Sequence, residues 1–213
     1  MTNNIFAIGD PHLGHKKVAL ARAFPEVQEH DDSFVRAWNN VVSKRDVVYV
    51  LGDVFKLDRV SELNGVKKLA LGNHDKLPTK KYLDLFTKVQ AYYEYDGCLL
   101  SHIPVHPGQF HRYEMNIHGH THAHKIDDER YISVSVENCP FMQPQNLNAL
   151  IAGRRDLIKN GPVENRLFED AVKKRLGFKN YRWEKEGQSW IFRIDVPRGT
   201  CYDVDSQLWD LAY

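Results

Sequence analysis

Cysteine is scarce in this sequence, and long apolar runs are missing. The three cysteines, Cys98, Cys139 and Cys201, are odd in number, widely spaced and without a Cys-x-x-Cys pair, which argues against a disulfide framework or a thiolate zinc site. No apolar stretch approaches the ~20 residues that a membrane helix requires, and Met1-Thr2-Asn3-Asn4 carries no basic region or apolar core of a leader. A soluble, cytosolic protein with no membrane partner is expected. An excess of one charge is also lacking, because 29 Lys plus Arg offset 28 Asp plus Glu for a formal charge of +1, so no strong field acts at long range. With 42% hydrophobic, 11% aromatic and 27% charged residues, the composition excludes a disordered, collagenous or coiled-coil chain. A length of 213 residues fits one compact domain with an appendage, enough to bury about 70% of the unfolded surface.

Histidine, by contrast, is abundant. Eight of the 11 histidines, at 74, 102, 106, 111, 118, 120, 122 and 124, crowd into one part of the chain. That region belongs to a repeated pattern in which a short apolar run ends in a turn bearing polar, metal-competent side chains. Asn4 to Ile8 runs into Gly9-Asp10-Pro11-His12, and Val47 to Leu51 into Gly52-Asp53. Lys67 to Leu71 precedes Gly72-Asn73-His74-Asp75, Gly97 to Ser101 precedes His102, and Met115 to Ile117 precedes His118-Gly119-His120. Runs of β-formers stopped by glycine read as strands. Helical periodicity is expected over His15–Phe24, over Asp32–Val42 with Phe34, Val35, Trp38 and Val42 on one face, and more briefly over Tyr82–Val89. A strand is expected at 131–136, a helix from about Gln145 to Ile158, and a strand within Gln188–Pro197. The catalytic portion is taken as 1–150, with 151–213 an extension packed on the same domain.

Asp10, His12, Asp53, Asn73, His102, His118 and His120 form a set of carboxylate, amide and imidazole donors, each just beyond an extended segment. Such a mixed set suits divalent Mn, Fe, Ni, Co or Zn. Gly119 between two histidines gives the backbone freedom for both to converge from a tight loop.

These blocks resemble the calcineurin-like metallophosphoesterases, whose pattern is Asp-x-His, Gly-Asp, Gly-Asn-His-Asp or Glu, a lone His, and Gly-His-x-His. They stand here, in order, as Gly9-Asp10-Pro11-His12, Gly52-Asp53, Gly72-Asn73-His74-Asp75, Ser101-His102 and His118-Gly119-His120. The resemblance implies an α/β sandwich of two mixed β-sheets flanked by helices, with a C-terminal extension. It also implies two divalent ions, manganese foremost, one on Asp10, His12, Asp53 and His120 and the other on Asp53, Asn73, His102 and His118, with Asp53 bridging. It assigns His74 a contact to the phosphoryl or leaving oxygen, and Asp75 could orient the His74 imidazole. Two such ions about 3.5–4 Å apart share a water and lower its pKa toward about 7, which makes a bridging hydroxide available as nucleophile.

The protein Ser/Thr phosphatases carry Gly-Asp-x-x-Asp-Arg-Gly at the second block, whereas Gly52-Asp53 continues as Val54-Phe55-Lys56-Leu57. Asp-x-His-x-Gly-His, Trp38-Asn39 and Val134-Ser135-Val136-Glu137 look most like small stand-alone phosphoesterases of bacteria and their phages, which places the protein in a bacterial or phage-infected cytoplasm. A phosphorylated small molecule or nucleotide is the expected substrate. Two alternatives remain. One is a nuclease that uses the basic stretch 154–185, where ten Lys or Arg face five acids. The other is a non-catalytic interaction module of the same fold. His15 reads equally as a phosphate contact or a helix N-terminal surface residue. His106, His111, His122 and His124 read as a solvated loop, and Trp38 as a packing anchor.

Overall fold

In the computed structural model the described residues are 3–161, 181–186 and 189–194. The chain divides into two compact units, residues 1–151 and 152–213.

The first unit contains two mixed sheets. In one, β1 (Ile5–Ile8), β2 (Val47–Leu51), β3 (Val66–Ala70) and β4 (Lys88–Gln90) are parallel, and the two-residue β9 (Gln145–Asn146) runs antiparallel on the far side of β1. In the other, β6 (Cys98–Ser101), β7 (Met115–His118) and β8 (Tyr131–Ser133) are parallel, with β5 (Tyr92–Tyr95) antiparallel on the edge. The near-continuous apolar runs of β1, β2 and β6 are those of parallel strands buried on both faces. Gly9 ties the sheets together: its N–H donates to Val134 O at 2.7 Å and its carbonyl accepts from Val136 N at 3.1 Å.

Helices α1 (Lys16–Ala21), α2 (Val27–Val41), α3 (Thr79–Leu83) and α4 (Leu147–Asn160) accompany the sheets. The class is α/β, as expected, and no helix among the described residues is long and apolar enough to cross a membrane. Helix α2 buries Phe34 and Trp38, one turn apart, together with His30 and Asp31. It starts before Asp32 because the polar His30-Asp31 pair faces inward, where His30 Nδ1 donates to Asp31 Oδ1 at 2.8 Å. Trp38 is the expected anchor, fully buried with its indole N–H on Asn64 O at 2.9 Å.

Two expectations need correction. The stretch Tyr82–Val89 is not one helix, since α3 ends at Leu83 and Lys88–Gln90 pairs with β3 as an edge strand. Residues 131–136 end as strand at Ser133, because Val136 begins a short 3-10 turn whose N–H bonds Gly9. Within the basic stretch, Tyr181–Glu186 (β10) is a strand and pairs antiparallel with Ser189–Ile194 (β11) in the second unit. The basic residues between 162 and 180, with Phe168 and Phe178, lie outside the described residues.

Asp46 pins the entry to β2 onto the start of β1. Its carboxylate accepts from Asn4 N at 2.9 Å and Ser43 N at 2.7 Å. Burial pushes this carboxyl up, but the hydrogen bonds outweigh it and hold the pKa below its ordinary 3.8. A carboxyl depressed on folding adds stability above its unfolded pKa and loses it as pH falls through the folded one. Asp46→Asn is therefore expected to cost about 1–2 kcal/mol at pH 7, with the difference from wild type closing as pH falls below the ordinary carboxyl pKa of 3.8. Urea midpoints at several pH values check this, and a gap that widens in acid would contradict it.

Candidate metal centre

The C-terminal ends of β1, β2, β3, β6 and β7 deliver the donor residues, the edge at which open parallel sheets place ligands. Backbone strain marks the place. Asp10, His12, Asp53, His120 and His122 all have positive φ, between 50 and 69°, a conformation that costs a non-glycine residue about 1–3 kcal/mol and gathers at functional sites. Close backbone approach helps: a Cβ on Gly119 would sit 2.7 Å from Leu51 O and 2.8 Å from Asp10 Oδ2, so the turn requires glycine.

Asp10, His12, Asp53 and His102 are buried, with at most 2% of their surface exposed. His102 Nδ1 donates to Leu51 O at 2.9 Å, which turns Nε2 toward the other donors. That atom faces Asn73 Oδ1 at 2.8 Å, His120 Nδ1 at 3.2 Å and Asp53 Oδ1 at 3.4 Å. Asp53 Oδ2 turns the other way, to His12 Nε2 at 3.6 Å. On that side donor atoms of Asp10, His12 and His122 lie within 4.8 Å of one another, as do those of Asp10, Asp53 and His102. Asp53 thus stands between two clusters, one oxygen toward each.

The electrostatics suit a cation. Both ring nitrogens of His12 are buried without a hydrogen-bond partner, and burial lowers its pKa to about 3, so the ring is neutral and one nitrogen lone pair is free to coordinate. Burial pushes the Asp10 carboxyl up and outweighs the Ser135 hydrogen bond and the His102 and His122 charges that oppose it, a penalty that a bound divalent ion would remove.

The structure shifts the last histidine pair. His118 is the final residue of β7, registered against Ser101 and Ser133 inside the second sheet. Its Nδ1 donates to Gly119 O at 2.8 Å and its ring lies edge-on to Tyr131 at 6.0 Å. Among the described residues it joins neither cluster, although its buried Nε2 has no partner. His122, rather than His118, groups with Asp10 and His12, its ring stacked 5.2 Å from that of His12. The signal was present in the sequence, because Gly119-His120-Thr121-His122 spells Gly-His-x-His directly. The reading of His122 as a solvated loop residue is corrected accordingly.

Asp75 is corrected as well. Its carboxylate accepts from the backbone N–H groups of Asp53, Val54 and Gly72 at 2.9 Å each, so it fastens the Asp53 turn to the Asn73 turn rather than orienting His74. The His74 backbone N–H donates to Asp53 Oδ1 at 2.8 Å, and its half-buried ring sits 5.3 Å from that of His12. His15 caps α1, accepting from Val18 N at 3.3 Å, and packs 4.4 Å from Phe55 at the same mouth.

Two positioning residues were not legible in advance. Glu137 Oε1 accepts from His122 Nδ1 at 2.9 Å and from Arg22 Nε at 2.9 Å. Burial pushes this carboxyl up, but the His122 hydrogen bond and the Arg22 charge overcome it and hold the pKa down to about 2. Arg22 also donates to the carbonyls of Asp10 at 2.8 Å and Pro11 at 3.2 Å. Glu137 therefore fixes which His122 nitrogen faces the cluster, the role that carboxylates play behind metal-binding histidines.

No protein-family model matches the chain. It is 32% identical over 178 residues to the uncharacterized protein MJ1445 of Methanocaldococcus jannaschii, covering 75% of this chain and 93% of that protein. The gene 66 protein of Mycobacterium phage D29 is 29% identical over 163 residues, covering 58% of this chain and 81% of its own. The gene 66 protein of Mycobacterium phage L5 is 37% identical over 83 residues, covering 34% of this chain and 40% of its own. A crystal structure of AQ665 from Aquifex aeolicus, a protein of unknown function, superposes with a TM-score of 0.59 at 20% identity, covering 71% of this chain and 99% of that one, and so shares the fold. By the extent and identity of the first of these matches, the chain belongs to the family of the archaeal protein MJ1445.

Proposed function

We propose that the chain is a calcineurin-like metallophosphoesterase, a binuclear metal-dependent enzyme that hydrolyses a phosphate monoester or diester of nucleotide type. The observation that carries this reading is the meeting of Asp53 Oδ1, Asn73 Oδ1 and His120 Nδ1 around His102 Nε2 at 2.8–3.4 Å. A proton satisfies one such pair, whereas a cation serves all four atoms.

The donors fit two ions. Asp10, His12 and His122 with Asp53 would hold one, and Asp53, Asn73, His102 and His120 the other. Oxygen and imidazole donors without thiolate suit manganese, and also Fe, Ni, Co or Zn. When bound, such a pair supplies Lewis acidity for a phosphoryl oxygen and acidifies water toward a pKa of about 7.

The chain's own groups then do the rest. Buried Asp10 and Asp53 set the charge of the site, and Asp53 is held at its carboxylate by the His74 N–H and at its backbone by Asp75. The His74 imidazole, at the mouth beside His12, donates to a phosphoryl oxygen or returns a proton to the leaving oxygen.

Metal-stripped protein restored with Mn, Ni or Zn and assayed on bis-p-nitrophenyl phosphate, p-nitrophenyl phosphate, nucleotides and single-stranded DNA tests the reading. Turnover that requires restored metal is expected, and His74→Ala should keep its metal while losing about a hundredfold or more in rate. Protein that binds metal but cleaves none of these esters would overturn the proposal. Full activity in His74→Ala would reduce His74 to scaffolding, and cleavage of DNA alone would favour the nuclease.

A further inference from the structure

A cavity of about 400 Å³ lies beside the metal cluster and shares His102 with it as a wall. Leu71, which leads into the Asn73 turn, also lines it, with Tyr92, Ile103, Arg112 and Tyr113. The two loops that carry Asn73 and His102 into the cluster thus build the cavity too.

Its chemistry is unlike that of the cluster. Tyr92 and Ile103 are 51% and 54% exposed, large apolar groups left in water at the edge of a polar site. The Tyr113 hydroxyl donates to Glu94 Oε1 at 2.7 Å, which holds that ring in place, and the Arg112 guanidinium lies 5.9 Å from its centroid. Mostly apolar walls with a few polar groups, at a volume in the ~300–1,000 Å³ range, are those of a small-molecule site. Aromatic faces and a guanidinium at the rim match a flat, polar-edged ring system attached to an anion.

We propose that this cavity binds a nucleoside, the organic half of the phosphoester, with its base stacked on Tyr92 and its phosphate-bearing end directed to the His102 side. The proposal rests on the phosphoesterase reading for its orientation, and its test needs no hydrolysis. Adenosine is titrated into the full-length, metal-free protein carrying methyl-labelled isoleucine, with the Ile103 signal assigned by Ile103→Val.

A saturable shift of Ile103 is expected while Ile5 and Ile8 in β1 stay unmoved, and Tyr92→Ala should weaken the affinity about tenfold or more. Arg112→Ala should weaken AMP more than adenosine. A silent Ile103 signal, or unchanged affinity in Tyr92→Ala, would overturn the proposal. An inactive enzyme whose Ile103 still responds would sink the phosphoesterase reading and leave the nucleoside site standing, whereas an active enzyme with a silent Ile103 does the reverse.

Discussion

Replacing Asp53 by asparagine is expected to lower turnover of bis-p-nitrophenyl phosphate by about a thousandfold or more, because it removes charge from preorganised electrostatics at the reacting centre. The side chain keeps its shape and loses one negative charge, at the position where one oxygen faces His102 Nε2 at 3.4 Å and the other faces His12 Nε2 at 3.6 Å. Asp10 is the other residue that reaches donors on both sides. Metal content should fall along with rate, from two equivalents per chain toward one or none, which equilibrium dialysis followed by elemental analysis reads directly. Unchanged turnover with full metal content would remove Asp53 from its place between the clusters.

The second large effect is on the scaffold. Asp75→Ala deprives the backbone N–H groups of Asp53, Val54 and Gly72 of their acceptor in one step, and each buried donor left without a partner costs about 1–3 kcal/mol. These bonds also hold a strained turn, since φ is 55° at Asp53 and 74° at Phe55. A loss of about 3 kcal/mol or more is expected from urea unfolding of the metal-free protein. Asp75→Asn should lose less, because one carboxamide oxygen remains to accept. Metal affinity should fall in both variants, since relaxing the turn moves Asp53 away from the cluster. If Asp75→Ala unfolds like wild type, the carboxylate is not what fastens the two turns.

Much of this architecture could be read in advance for a definite reason. Strands such as Val47–Leu51 and Cys98–Ser101 are mostly apolar and end at polar turns, so periodicity, termination and donor chemistry agree at the same residues. Asp10, His12, Asp53, Asn73 and His102 stand at such strand ends, and the structure brings their side chains together. The choice between His118 and His122 failed because strand β7 runs one residue further than its apolar run, and a histidine at a buried strand end looks the same in sequence as one in the loop that follows. Asp75 was misassigned because adjacency to His74 suggested contact, whereas the turn directs its carboxylate back to the backbone of residues 53–54. Arg22 and Glu137 are 115 positions apart, and only the paired sheets bring them together. The edge strand Lys88–Gln90 was hidden for a different reason: three residues, partly exposed, carry too little pattern to compete with a helical reading.

The central claim is that donors from separate strand ends form one cradle for two cations. Anomalous diffraction from crystals soaked in manganese tests it most directly. The account predicts two peaks, one among Asp10, His12 and His122 and the other among Asn73, His102 and His120, with Asp53 between them and His118 touching neither. No peak, a single peak distant from Asp53, or a peak ligated by His118 in place of His122 would contradict it.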